Sequence, residues 1–144
     1  MEHRKPCPWS LAVAAWLVVI FFSSTSTARR WSENSFQWGS ELLGRLHSAG
    51  HDYSLLHFIA EKGVHVTLFT VLAFLLWKAL GDRPRKIGLI IVIGATVGSA
   101  SEGLQSFFPD RDPAVRDILI NIGGAAQGAL LSSAFARRRS LARV

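Results

Sequence analysis

Four apolar runs divide the chain. The first is Trp9 to Phe22, trailing through Ser23, Ser24, Thr25, Ser26 and Thr27. The second, Gly63 to Gly81, is interrupted only by His65, Thr67, Thr70 and Lys78. The third, Ile87 to Phe108, contains Glu102 and Gln105, and the fourth, Ile118 to Phe135, contains Asn121 and Gln127. Each run approaches the ~20 residues needed to cross a hydrocarbon core of about 30 Å. The pattern predicts an all-α membrane protein, a four-transmembrane-helix bundle in a single domain covering residues 1–144. Helices are expected over 8–27, 63–81, 87–108 and 118–135, with a long external loop over 28–61. The first run also has the form of a cleavable signal peptide. Arg4 and Lys5 precede its apolar centre, and Ser26-Thr27-Ala28 supplies small residues at its end. Within the external loop, Trp38, Leu42 and Leu46 are spaced to share one helix face. They predict either a short helix on the membrane surface or a packed loop.

Composition agrees with lipid as the solvent: 49% of the 144 residues are hydrophobic, and the mean hydropathy is +0.27. The net charge of +6 is not gathered on one soluble face, as nucleic-acid binding would need. Ten of the sixteen lysines and arginines fall at the N-terminus, around 78–86 and after 136, and only Glu2 and Asp82 of the ten acids join them. Basic residues concentrate on the cytoplasmic side, so both termini are expected in the cytoplasm of a multi-pass bacterial inner-membrane protein. Cys7 is the single cysteine, so an internal disulfide is excluded. Gly94 with Gly98, and Gly124 with Gly128, form two G-x-x-x-G pairs. They predict that the third and fourth helices pack closely as a hairpin. Gln127 is expected to make a packing hydrogen bond.

Charged and amide side chains within apolar runs are costly, so they point to a site or a network. At about 1.5 Å per residue, His65, Glu102, Gln105 and Asn121 all lie within about 10 Å of the outer boundary. Lys62 and His65 share a helix face, as do Glu102 and Gln105, and Asp117 and Asn121. With Arg111 and Arg116 at the rim, these residues predict an outward-facing polar pocket in which Glu102 pairs with His65, Lys62 or Arg111. Asp117 is also placed to cap the start of the fourth helix.

The segment Glu61-Lys62-x-x-His65-x-x-x-Phe69-x-x-Leu72 resembles the D-K-x-x-H signature of the VanZ-like family. Glu102-x-x-Gln105-x-x-x-Pro109-x-Arg111, followed by Asp117-x-x-x-Asn121-x-x-Gly124, is similar to its second signature. Glu61 stands in place of the usual aspartate and keeps the charge. Val66 and Asp110 depart from the aromatic and the glycine common at those positions. The resemblance implies a small polytopic membrane protein. The family's namesake is linked to resistance to the glycopeptide teicoplanin, and a connection to cell-envelope glycolipids follows from that.

Three readings of the polar residues differ in kind. In the first, Lys62, His65, Glu102, Gln105, Arg111, Arg116, Asp117 and Asn121 bind a polar or anionic headgroup, from a membrane lipid or a lipid-linked envelope precursor. Arginine suits phosphate because its planar fork donates two parallel hydrogen bonds. In the second, a membrane-surface hydrolase or transferase uses His65 and Glu102 as acid and base, with Asp117 as a third carboxylate, or the three ligate a divalent metal. No H-E-x-x-H or G-x-S-x-G motif accompanies them, so non-enzymatic binding without a cofactor or metal is the leading expectation. In the third, the residues are a polar clip between helices in a scaffold protein, with a homo-oligomer or a protein partner. His47, His51 and His57 are read as solvated loop residues.

Overall fold

The computed structural model describes residues 8–28, 30, 41, 44–45, 53–111 and 113–141. The expected surface helix around Trp38, Leu42 and Leu46, and also Cys7, lie outside these. Among the described residues, the bundle is built from α1 (Pro8–Ser23), α2 (Tyr53–Ala79), α3 (Lys86–Gln105) and α4 (Val115–Leu141). Within them, Glu61–Ala79, Lys86–Gln105 and Val115–Arg139 are long and apolar enough to cross a membrane.

Several boundaries differ from those expected, for identifiable reasons. α1 stops at Ser23 instead of running to Thr27. The hydroxyls of Ser23 and Ser24 both bond back to the Ile20 carbonyl, and Ser24 and Thr25 close tight turns on Phe21 and Phe22. Such local bonds compete with the helix ladder. At 16 residues, or roughly 24 Å, α1 is shorter than the hydrocarbon core. α2 begins at Tyr53, ten residues before the expected 63, so the 28–61 connection is shortened. Glu61 and Lys62 do not end the apolar segment, because Lys62 is buried and paired. α3 ends at Gln105, before Phe107 and Pro109. α4 begins at Val115 and continues through Arg137, Arg138 and Arg139.

The helices alternate in direction. Trp16 Nε1 donates to the Leu68 carbonyl (2.8 Å), while Lys78 stands over the Trp9 ring (5.9 Å), so α1 runs antiparallel to α2. A tight connection turns α2 into α3. Gly81 (φ 57°) and Arg85 (φ 56°) take left-handed conformations there, and Lys86 donates to the Gly81 carbonyl (2.7 Å). Both the start of α1 and the end of α4 therefore lie at the end of the bundle that carries Lys78, Arg83, Arg85 and Lys86.

The core joins large apolar side chains, Ile20, Phe69, Leu72 and Ile90, to small residues, Gly94, Gly98, Ala125 and Ala129, whereas Val92, Leu119, Leu130 and Phe135 are exposed. Small residues at the contacts and apolar side chains on the outside suit a lipid surround, in which close backbone contact drives helix association. The expected α3–α4 hairpin is present. A Cβ on Gly94 would come within 2.5 Å of the Ala125 Cβ, and one on Gly98 within 3.1 Å of the Asn121 Cβ. The second glycine pair serves a different contact. A Cβ on Gly124 would lie 2.8 Å from the Val66 carbonyl oxygen, and one on Gly128 2.5 Å from that of Thr70. These two glycines let α2, not α3, seat against α4, and the α2–α4 interface is the largest in the bundle. Thr70 fastens it by donating to the Gly124 carbonyl (3.1 Å). Gln127, expected to pack, is exposed.

The glycine contacts make a sharp prediction. Gly128→Ala pushes a methyl against backbone that cannot yield, at a cost of about 1–3 kcal/mol, read as a lower unfolding midpoint in detergent. Gly103, with nothing within 4 Å of its Cβ position, accepts alanine without loss. Equal midpoints for the two variants would contradict this packing.

Candidate functional site

Lys62 and His65 lie on α2, Glu102 and Gln105 on α3, and Asp117 and Asn121 on α4. The bundle brings all three pairs to the end opposite the basic turn. Helix register explains how. Gly94 meets Ala125 and Gly98 meets Asn121, so one further turn along this antiparallel pair sets Glu102 opposite Asp117. α2 runs parallel to α4, so Lys62 and His65 reach Asp117 and Asn121 one turn apart.

The bonds divide differently from the expected pairing around Glu102. Lys62 Nζ donates to Asp117 Oδ2 (2.8 Å) and lies 3.3 Å from Glu61 Oε1. Lys62 and Asp117 are both buried, with side-chain exposures of 11% and 6%, so this pair is shielded from solvent. His65 Nδ1 lies 3.1 Å from Asn121 Oδ1. The amide oxygen can only accept, so Nδ1 carries the hydrogen and Nε2 the lone pair. Glu102 makes two hydrogen bonds to other groups. Its Oε1 accepts from Gln105 Nε2 (3.1 Å), and its Oε2 from the Ala114 N–H (3.3 Å) at the entry to α4. Asp117 sits inside the first turn of α4, which begins at Val115, and its side chain goes to Lys62 and not to the backbone as a cap. Its charge still faces the positive end of the helix.

The two arginines part company. Arg111 turns inward, and its Nη2 donates to the carbonyls of Ser23 and of Thr25 (3.1 Å), a cation placed at the C-terminal end of α1. Arg116 faces out. Its side chain is 63% exposed, its guanidinium lies over the Phe58 ring (4.8 Å), and its Nε is 3.7 Å from Asp117 Oδ1. Lys62 Nζ approaches the same ring (5.6 Å).

Sequence reasoning missed the fastening of α1. Ser24 and Ser101 share a buried hydroxyl–hydroxyl bond (2.7 Å), and the Ser26 hydroxyl donates to Asp110. A hydroxyl that can bond its own helix gives no sign in the sequence that it also reaches another. Glu61 was noted only as part of a signature. In the structure Glu61, His65 and Asp117 each offer a donor atom, all within 4.8 Å of one another. His65 bonds to Asn121, and Glu102 to Gln105 and to the Ala114 N–H. Among the described residues, the buried atoms without a hydrogen bond include Asp117 Oδ1 and Asn121 Nδ2.

The VanZ/LLP1 family model matches residues 9–136, which include every residue of the site. No curated protein matches the chain. No solved structure matches it.

Proposed function

The chain belongs to the VanZ/LLP1 family of membrane proteins, and from that membership we propose that it spans the bacterial inner membrane four times, with both termini in the cytoplasm, and binds the polar or anionic headgroup of an envelope lipid at its outer end. The placement of Lys78, Arg83, Arg85, Lys86 and the Arg137–Arg139 run at one end of the bundle supports the orientation. α1 completes the fourth crossing by using its hydroxyl-rich end and the local thinning that a short span induces.

The observation that carries the binding reading is the rim. Arg116 stands exposed over Phe58, and the buried Asn121 Nδ2 has no hydrogen-bond partner. A network that only tied helices together would close on itself. A headgroup oxygen can accept from Asn121 Nδ2, and phosphate suits the Arg116 guanidinium. A second reading has its own support. The buried Lys62–Asp117 pair and the inward Arg111 are what a purely structural clip would use.

Two measurements test this. A reporter that fluoresces only in the cytoplasm, fused after Val144 or inserted in the 82–86 turn, should be bright, and one in the 31–40 segment dark; a bright 31–40 fusion would refute the orientation. Native mass spectrometry of the detergent-purified protein should show one class of envelope lipid retained by the wild type and released from the folded Arg116→Ala variant. The same unselective lipids on both would favour the clip.

A further inference from the structure

Glu61 and His65 are four residues apart on α2 and so share a face. Asp117 enters from the first turn of α4. We propose that these three side chains form a site for a single divalent transition-metal ion of the zinc type, at the outer end of the bundle.

Three observations besides their proximity support it. First, Asp117 is 4% exposed, and its Oδ1 accepts no hydrogen bond, although Oδ2 is held by Lys62. A buried carboxylate oxygen without a donor is costly, and a cation relieves that cost. Second, His65 is oriented as a metal ligand is. Metal-bound histidines pass their other ring N–H to an oxygen acceptor, which fixes the tautomer and ring plane. Asn121 Oδ1 does this for His65 Nδ1 (3.1 Å), leaving the Nε2 lone pair for a metal. Third, there is a route in, because the Glu61 side chain is 49% exposed at the mouth of the site.

Charge and distance are compatible with the ion. Lys62 offsets part of the negative charge of Glu61 and Asp117. Arg116 Nε, at 3.7 Å from Asp117 Oδ1, is beyond hydrogen-bond reach and belongs to an exposed side chain that can swing away. Ligands about 2.0–2.2 Å from zinc in a tetrahedral site lie about 3.3 Å from one another, so the donor atoms must draw in by about 1.5 Å at most. The long, exposed Glu61 side chain can supply most of that movement. One imidazole with two carboxylates suits zinc and its first-row neighbours and not magnesium, which prefers an octahedron of oxygens. Three protein ligands leave a position for water or for an oxygen of a bound molecule.

This inference does not depend on the headgroup reading, because its test uses zinc alone. The full-length protein, purified in detergent on a tag without histidine, is titrated with Zn²⁺ by calorimetry. The wild type should bind one equivalent saturably, unaffected by excess Mg²⁺. Glu61→Gln and His65→Gln should each weaken that binding by more than about tenfold while the variants remain folded in detergent. Comparison with these variants separates the site from the other histidines of the chain. The proposal is overturned if the wild type binds no zinc saturably, or if either folded variant binds it as the wild type does.

Discussion

An ammonium and a carboxylate leave water at the edge of a bilayer only if they meet, and the contact of Lys62 with Asp117 is where that requirement shapes this protein. Each charge alone would carry a desolvation penalty of several kcal/mol. Together, at 2.8 Å, they join α2 and α4 at the end of the bundle opposite the basic turn. Lys62 can then lie within the helix and not at its end, which allows α2 to start at Tyr53. The same contact fixes the rotation of both helices. With Lys62 turned toward α4, His65 and Phe69 follow on the same face, and Asp117, Asn121, Gly124 and Gly128 are all buried on α4.

The glycines make this geometry possible over the length of the membrane. Gly124 and Gly128 bring the α2 backbone against α4, and Gly94 and Gly98 bring α3 against its other side. α4 thus receives α2 and α3 on two faces and contributes Asp117 and Asn121 to the site. α1 is held differently, through the Trp16 bond to Leu68 and through its hydroxyl-rich end. Arg111 closes that end, so the turn between α3 and α4 is tied to the one helix that is short for the membrane.

Much of this was legible in the sequence. Apolar length alone located α3 and most of α4, and helical phase correctly grouped Lys62 with His65 and Asp117 with Asn121. What phase does not reveal is which faces meet. The G-x-x-x-G pair at Gly124 and Gly128 marks a close approach without naming the partner, and the partner is α2. Glu102 reads as a lone intramembrane acid in want of a cation, yet it spends its oxygens on Gln105 and on the backbone of Ala114, a donor with no signature in the sequence. The residues about Glu61 read as a boundary because charge ordinarily marks one, and only the pairing across helices shows otherwise. The serines at the end of α1 look like the tail of a span, whereas their hydroxyls end the helix and bond across the bundle.

The central claim is that the Lys62–Asp117 pair organises the end of the bundle opposite the basic turn. A double-mutant cycle in detergent, with Lys62→Met, Asp117→Leu and the two combined, tests it most directly. Each single variant should lose about 3 kcal/mol, because it leaves a buried charge with only its more exposed partner, Glu61 for Lys62 or Arg116 for Asp117, and the double variant should recover much of that loss by removing both charges. Additive losses, or single variants as stable as the wild type, would mean that the pair does not hold α2 to α4 and that the organising contact lies elsewhere.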